Sequence, residues 1–340
     1  MLVALIMAGG LGERFWPLST KEHPKQVLDL FTGKPMIKET LDRILPIIPL
    51  SNIFIATNST QQNIIKEVLP DFPISNFIIE PMFKDTAAAI GFGVLNIKKH
   101  FDNPTIVVLA SDHIIKNEEQ FRHNILKAEK VAKEGFIVTF GIKPTKPETN
   151  YGYIELDKEF KINDVFDAIS FREKPDLKTA TKYLLEKKYL WNSGMFIFTE
   201  NTIYKAFMEH ANSHYQTLMK IANEDGSLKD LFNEFERKSI DYAIMEKANN
   251  IKVIPVDIGW NDVGSYNSLI DILNENKNGS INISDKLIEC DSKNNIVIAR
   301  KKSVSLIGVE DLIIVETDNK ILVAKKSEIN KIKEIAKNDF

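Results

Sequence analysis

An apolar run, Leu2-Val-Ala-Leu-Ile-Met7, passes with no polar spacer into Ala8-Gly9-Gly10-Leu11-Gly12-Glu13-Arg14-Phe15-Trp16-Pro17. A strand this apolar has no face to give to water, so it belongs inside a sheet covered on both sides. Small residues at its end let backbone N–H groups close on a polyphosphate. Arg14, and Lys25 within Pro24-Lys25-Gln26, add the positive charge that a bare glycine turn lacks. The spacing fits neither common phosphate loop. A dinucleotide fingerprint starting at Gly10 needs glycine where Phe15 stands, and no Gly-Lys-Ser/Thr closes a P-loop. Surface charge is the simpler reading of either cation alone; beside a glycine-rich turn, phosphate contact becomes the better one.

Strand-like runs alternate with helix-length segments through the first half. Strands are expected at 2–7, 52–56, 75–79, 105–110 and 136–140, with helices near 35–45, 60–69, 85–100 and 118–134. That alternation implies an α/β domain built on a parallel sheet. Ligands of such sheets bind outside the carboxyl ends of the strands. Gly9 to Arg14, Glu80-Pro81 and Ser111-Asp112-His113 all lie at such ends.

Beyond about residue 141 the pattern changes. A helix near 176–188 and two helical stretches, about 200–222 and 227–248, separate the blocks Asn150-Tyr-Gly-Tyr-Ile154, Phe171-Arg-Glu-Lys-Pro175, Trp191-Asn-Ser-Gly-Met-Phe196 and Trp260-Asn-Asp-Val-Gly-Ser265. Apolar runs near 297, 306, 314 and 322 then suggest a small all-β module, closed by a helix at about 327–338. Asn274–Asn282 reads as the linker, which divides the chain into a catalytic domain at 1–272 and a module at 283–340.

With 340 residues and 44% hydrophobic content, the chain can bury a full core. The 44 Lys and Arg against 47 Asp and Glu argue against a nucleic-acid or membrane-surface partner. The single Cys290 excludes an internal disulfide framework and suits a reducing cytoplasm. The apolar start lacks a signal peptide's basic region, and no stretch approaches the ~20 apolar residues of a membrane span.

Asp112 and Asp262 are the candidate metal ligands, because Mg²⁺ takes one or two carboxylates and fills its octahedron with substrate phosphates and water. Asp112 has a competing role as a helix cap. Glu173-Lys174 is either a strand-end ion pair or a carboxylate and a cation aimed at a sugar diol and a phosphate. Asn192 contacts a hydroxyl or shapes a turn with Gly194. His210 and His214 have the spacing of a zinc pair, but Ala211 stands where a catalytic Glu belongs and His23, His100, His113 and His123 are remote in sequence. His113 is better suited to orienting its loop. No serine elbow occurs, and Cys290 lies outside every candidate site, so covalent catalysis has no nucleophile.

These blocks, taken in order and with Ser239-Ile-Asp-Tyr-Ala243, resemble the bacterial mannose-1-phosphate guanylyltransferases among the sugar-1-phosphate nucleotidyltransferases. The resemblance is dense over about residues 1–268. It implies a Rossmann-like nucleotide-diphospho-sugar transferase fold with a mixed, mainly parallel sheet, and a C-terminal partial left-handed β-helix. It also implies the joining of GTP and mannose 1-phosphate to GDP-mannose and diphosphate, with Mg²⁺. By the same resemblance Ala8, Gly9, Gly10, Gly12, Glu80, Asp85, Thr86 and Ser111 bind the nucleotide. Arg14 and Lys25 neutralise its phosphates, Asp112 and Asp262 share Mg²⁺, and Gly152, Tyr153, Glu173, Lys174, Asn192 and Ser193 take the sugar phosphate. Asp85 and Ala88 depart from the family's Asn and Pro, and Ala110 and Arg172 depart from its usual Pro and Val.

The chemistry agrees with the absence of a general base. A sugar phosphate loses its second proton near pH ~6 and can attack a phosphorus unaided. Some family members carry a phosphomannose isomerase domain; with about 70 residues after 270 and no histidine after His214, a monofunctional chain is expected. Exposed apolar edges in the β module suit a homodimer. Two alternatives stay open: the same reaction with UTP or dTTP and glucose 1-phosphate, and a non-catalytic sugar-nucleotide sensor.

Overall fold

The Leu2–Met7 run forms β1, its first five residues buried, in a computed structural model that describes residues 1–337. In chain order follow β2 (Ile53–Thr57), β3 (Phe77–Ile79), β4 (Thr105–Ala110), β5 (Ile114–Ile115), β6 (Ile137–Ile142), β7 (Tyr153–Leu156), β8 (Phe166–Arg172), β9 (Tyr189–Thr199), β10 (Ile251–Val256) and β11 (Trp260–Asn261). Among the described residues nine of them form one sheet in the order β3-β2-β1-β4-β9-β6-β10-β8-β7. β1 pairs in parallel with β2 and β4, β2 with β3, and β6 with β10. The early strands are thus parallel, as the alternation with helices implies. β4 and β6, however, are not neighbours. β9 runs between them, antiparallel to both. All of β9 except Gly194 is buried, so it carries no alternation of polar and apolar residues to mark it as a strand.

Polar caps start the helices where the sequence allows. Asn58, Asn117 and Asp176 each accept a backbone N–H from the first turn of the helices Ser59–Val68, Glu118–Ala132 and Leu177–Leu185. The helix Asp85–Lys98 is apolar almost all round and buried. At Gly93 a Cβ would stand 2.5 Å from Leu5 Cδ2, so glycine lets this helix lie directly on β1.

Two expected helices are corrected. The stretch 200–222 is broken at Ala211, whose φ of −139° makes it the C-cap of Glu200–His210 and the N-cap of Asn212–Ala222. The stretch 227–248 yields only Leu228–Asn233 and a π-helical turn, Asp241–Met245. Between them the backbone bonds elsewhere: Ile240 N–H donates to the Thr86 hydroxyl at 2.8 Å and the Lys238 carbonyl accepts from Ala87 N–H at 3.2 Å.

The chain divides into two compact units. One comprises Met1–Gly9, Thr40–Ser111 and Ile115–Trp260; the other gathers Gly10–Glu39, Asp112–Ile114 and the chain from Asn261 onward. The second unit holds β12 (Ile281–Cys290), β13 (Ile296–Ile307), β14 (Leu312–Glu316) and β15 (Ile321–Lys325), side by side in that order. β12, β13 and β14 are parallel, and β15 returns antiparallel. Only Asp291 to Asn295 links β12 to β13, a reach of about 20 Å, whereas a straight strand of ten residues covers about 33 Å. The strands must therefore turn a corner. The register shift between Ser284 and Lys286 is where they do, and the result is a coil of β-helix type. The separate strands expected near 297 and 306 are the two arms of β13, and β12 itself was not foreseen.

Asn274–Asn282 is no slack linker. The Glu289 carboxylate accepts from Asn276, Asn278 and Ser280 side chains at 2.6–3.1 Å. The unit's core joins Phe15, Met36, Val263 and Tyr266 to Ile281, Ile296, Ile313, Val315 and Leu322. Helix Ile332–Ala336, after a 3-10 turn at Lys326–Lys331, replaces the longer one expected; residues 338–340 lie outside the described residues. No helix among the described residues is long and apolar enough to cross a membrane.

Candidate active site

In the second unit a buried lysine organises the chemistry. Lys25, only 6% exposed, directs its ammonium to the Asp112 carboxylate at 2.7 Å and to the main-chain carbonyl of Asp262 at 3.0 Å. Nζ also stands 5.4 Å from the centre of the Phe15 ring. Burial by itself would raise the Asp112 carboxyl, but the Lys25 charge, then His113, hold it below the usual carboxylate range.

The glycine loop is shaped by the same lysine. Gly12 has φ of +74°, and a Cβ there would fall 2.5 Å from Lys25 Cβ and 2.8 Å from Ser19 Oγ. Only glycine combines that backbone with that approach. Ser19 donates to the Leu11 carbonyl at 2.8 Å, closing the turn. Arg14, in the single turn Glu13–Phe15, has no ion pair or side-chain hydrogen bond among the described residues.

Asp262 is held by a strained turn. Its carboxylate accepts from Gly264 N–H at 3.1 Å, and Asn261 accepts from Val263 N–H at 2.7 Å. Val263 is fully buried at φ +49°, a conformation that a β-branched residue adopts only when its surroundings impose it. Next along the chain, the Tyr266 hydroxyl donates to the carbonyls of Phe15 at 2.8 Å and Trp16 at 3.2 Å.

Asp112 and Asp262 already face a cation here, through a carboxylate and a carbonyl of hard-oxygen type. That donor set fits a divalent ion completed by substrate phosphates and water. Among the described residues no group of three or more His, Cys, Asp or Glu side chains forms a self-sufficient metal cage.

The first unit carries a second cluster, richer in acid. Lys174, at φ +46°, reaches back to the Glu173 carboxylate at 2.7 Å. A Cβ on Gly152 would stand 2.5 Å from Glu173 Oε2, and the Gly152 carbonyl accepts from Asn192 N–H at 2.8 Å. Glycine at this position thus leaves room for the carboxylate. Asn192 donates through Nδ2 to Asp241 at 3.0 Å, and its Oδ1 accepts from Gly194 N–H at 3.1 Å. Glu246 accepts the backbone N–H of Glu173 at 3.0 Å. Burial and then the Glu173 charge push Asp241 up to about 7, against Lys174 and Asn192. Burial would lower Lys174, but its bond to Glu173 and the nearby Asp241 raise it.

Glu80 ends the β3 segment, buried, and its carboxylate lies 3.9 Å from where a Gly9 Cβ would be. Burial pushes it up to about 7. Asp85 turns back on its own helix, accepting from Thr86 N–H at 2.8 Å.

Several expected site residues are scaffold in their side chains or backbone. Ala8 N–H donates to the Ala56 carbonyl, and its own carbonyl accepts from the Thr57 hydroxyl. Tyr153 is 1% exposed, packed with Tyr183, Tyr189 and Trp191. Ser193 is likewise buried, its hydroxyl accepting from Met195 N–H. Ser111 is buried, with its N–H on the Met7 carbonyl. Asp241, within Ser239 to Ala243, and Glu246 join this cluster through Asn192 and the Glu173 N–H, although the sequence assigns neither a role.

Residues 3–279 match the nucleotidyl transferase family, and residues 285–338 match the MannoseP isomerase/GMP-like beta-helix domain. A mannose-1-phosphate guanylyltransferase of Salmonella montevideo is 38% identical to this chain, across 98% of it and 73% of the relative. One of Escherichia coli is 33% identical, across 99% of the chain and 75% of the relative. A crystal structure described as mannose-1-phosphate geranyltransferase from Thermus thermophilus shares 31% identity and a TM-score of 0.91, covering 99% of this chain and 98% of that one.

Proposed function

We propose a reaction for this chain, which belongs to the mannose-1-phosphate guanylyltransferases of the nucleotidyl transferase family: GTP and α-D-mannose 1-phosphate give GDP-mannose and diphosphate. The observation that carries it is the buried Lys25 set on Asp112 and the Asp262 carbonyl, beside a glycine loop that its own backbone shapes.

The sugar phosphate is mostly dianionic at neutral pH, since its second pKa is about 6. One of its oxygens attacks the α-phosphorus of GTP. The bond from that phosphorus to the β-phosphate oxygen breaks, and diphosphate leaves with the electron pair. No proton has to be removed from the nucleophile, so the work is alignment and charge neutralisation. Lys25 neutralises the α-phosphate, and Arg14 with the N–H groups of Gly9, Gly10 and Gly12 holds the departing phosphates. A divalent ion, Mg²⁺ in this reading, held by Asp112 and Asp262 supplies further neutralisation when bound. Glu173, Asn192 and the Gly152 backbone take sugar hydroxyls, and Lys174 takes the sugar's phosphate. Glu80, Asp85 and Thr86 line the base side.

The reading extends to a cytoplasmic homodimer, supported by a lone free Cys290 and by Ile321 and Val323, 67% and 61% exposed on β15. Product formation across GTP, UTP and dTTP, each with mannose and glucose 1-phosphates, tests the reaction. A preference for UTP or dTTP would overturn the guanylyl assignment. Sedimentation as a monomer would remove the dimer.

A further inference from the structure

One short turn carries two carboxylates into the sugar-phosphate cluster. Glu246 N–H reaches back to the Asp241 carbonyl at 2.9 Å, closing a π-helical turn of a kind that recurs at functional sites. From its start Asp241 takes a hydrogen bond from Asn192, and from its end Glu246 takes one from the backbone of Glu173. The turn is anchored from outside by the Thr86 hydroxyl on Ile240 N–H.

The two ends of an amide have one shape and opposite hydrogen-bonding character, so its partners decide which way it faces. Asn192 has an acceptor at Nδ2 (Asp241) and a donor at Oδ1 (Gly194 N–H). A flipped amide would set oxygen against carboxylate and NH₂ against N–H. Such a pairing leaves buried polar groups unsatisfied. In the observed orientation Nδ2 keeps one further hydrogen, and Oδ1 has the Thr139 hydroxyl at 3.4 Å as its remaining neighbour.

We propose that Asp241 is a positioning residue: it fixes the Asn192 amide so that a sugar hydroxyl meets an N–H rather than a carbonyl, and thereby sets the discrimination among sugar 1-phosphates. This rests on the sugar-facing role proposed above for Asn192. The groups facing Asp241 are Glu173 and Lys174 after β8 and Asn192 on β9; Tyr242, next on the turn, acts on Lys174, and Glu246 at its end takes the Glu173 N–H. Since Asp241 titrates near 7, acidification turns its oxygen from an obligate acceptor into a possible donor. A neutral acid accepts or donates, so below that pH only the Gly194 N–H opposes the flipped amide and the selection weakens.

The test is steady-state kinetics on wild type, Asp241→Ala and Asp241→Asn, with each substrate varied in turn between about pH 6.5 and 8.5. Asp241→Ala is expected to raise KM for mannose 1-phosphate about tenfold or more while KM for GTP stays within about twofold. In wild type, KM for the sugar phosphate should fall as pH rises through about 7. Asp241→Asn should hold KM near the raised low-pH value of wild type and flatten the profile, because like the protonated acid it can donate as well as accept and it has no proton to lose. Equal changes in both KM values, no change in either, or a wild-type pH profile in Asp241→Asn would overturn the proposal. If Asp241→Ala does not fold, the Asn variant's pH profile decides alone. If wild type prefers another sugar phosphate, the proposed function fails, and the same split measured with that substrate still tests Asp241.

Discussion

The lysine cluster around Asp112 and the acid cluster around Asp241 use the same side chains and reach opposite protonation. Both pair a lysine with a carboxylate, Lys25 with Asp112 and Lys174 with Glu173. At Asp112 a buried ammonium lies on the carboxylate, and the carboxyl falls below its ordinary range. At Asp241 the nearest partner is an amide, the lysine is engaged by Glu173, and the carboxyl rises to about 7. Charge type alone therefore says little about a site. What matters is which carboxylate the cation touches, and that is a property of the fold.

The contrast predicts opposite responses to pH. A lowered carboxyl such as Asp112 adds stability above its unfolded pKa and loses it as the solution is acidified through the folded value. The raised carboxyls Asp241 and Glu80 do the reverse. Their contribution is whole below about 4 and is lost as pH rises through about 7. Hydrogen exchange should show the Asp241 turn opening more readily at pH about 8 than about 5. The residues around Lys25 should not follow that trend; uniform behaviour in both regions would break the comparison.

The largest expected effect is at Lys25. Lys25→Met should lower kcat by about a hundred- to a thousandfold, the range seen when one preorganised electrostatic contact to a transition state is lost. Stopped assays at saturating substrates check it, and a loss under tenfold would remove Lys25 from the chemistry. Glu173→Gln should act on the other cluster, raising KM for the sugar phosphate about tenfold with a smaller effect on kcat. If instead kcat falls alone, the two clusters do not divide the labour as proposed.

Gly12→Ala should cost about 1–3 kcal/mol, from a left-handed backbone and the approach to Lys25 Cβ, and should lower activity more than its lost stability explains. Denaturant melts beside assays on the folded variant separate the two. The last effect, confined to high pH, belongs to Glu80→Gln. It removes a carboxyl that rises from 4.5 to about 7, so it should stabilise the protein by at most about 3 kcal/mol near pH 8 and by nothing near pH 4. Melting temperatures at the two pH values decide the matter.

Where local chemistry governs, the fold was readable from sequence. β1 and β4 occupy the expected residues because long β-branched or aliphatic runs leave little choice. The glycine loop was readable too, since Gly12 stands where a side chain would be excluded. β9 hid because both of its faces are covered and Asn192, Ser193 and Gly194 interrupt its apolar run. β13 read as two strands because its corner places Arg300, Lys301 and Lys302 between apolar arms. Asp112, Lys25 and Asp262 were each visible as residues, but the bond between Lys25 and Asp112 joins chain positions far apart. Asp241 was invisible as a site residue for the same reason. Its partner Asn192 and the Thr86 anchor beside it are remote in sequence, and no local pattern announces a π-helical turn.

Gly12 also has a consequence for heredity. Any side chain at position 12 would meet the Cβ of residue 25, an atom that every residue but glycine carries, so no replacement that keeps Lys25 makes room for it. A library randomised at position 12 in an otherwise native chain should return glycine under selection for turnover. Varying position 25 as well should not rescue other residues there, because the Cβ in the way is common to all residues but glycine, Ser19 Oγ closes the same space, and turnover needs the Lys25 ammonium. Position 12 is closed to drift for as long as turnover depends on Lys25.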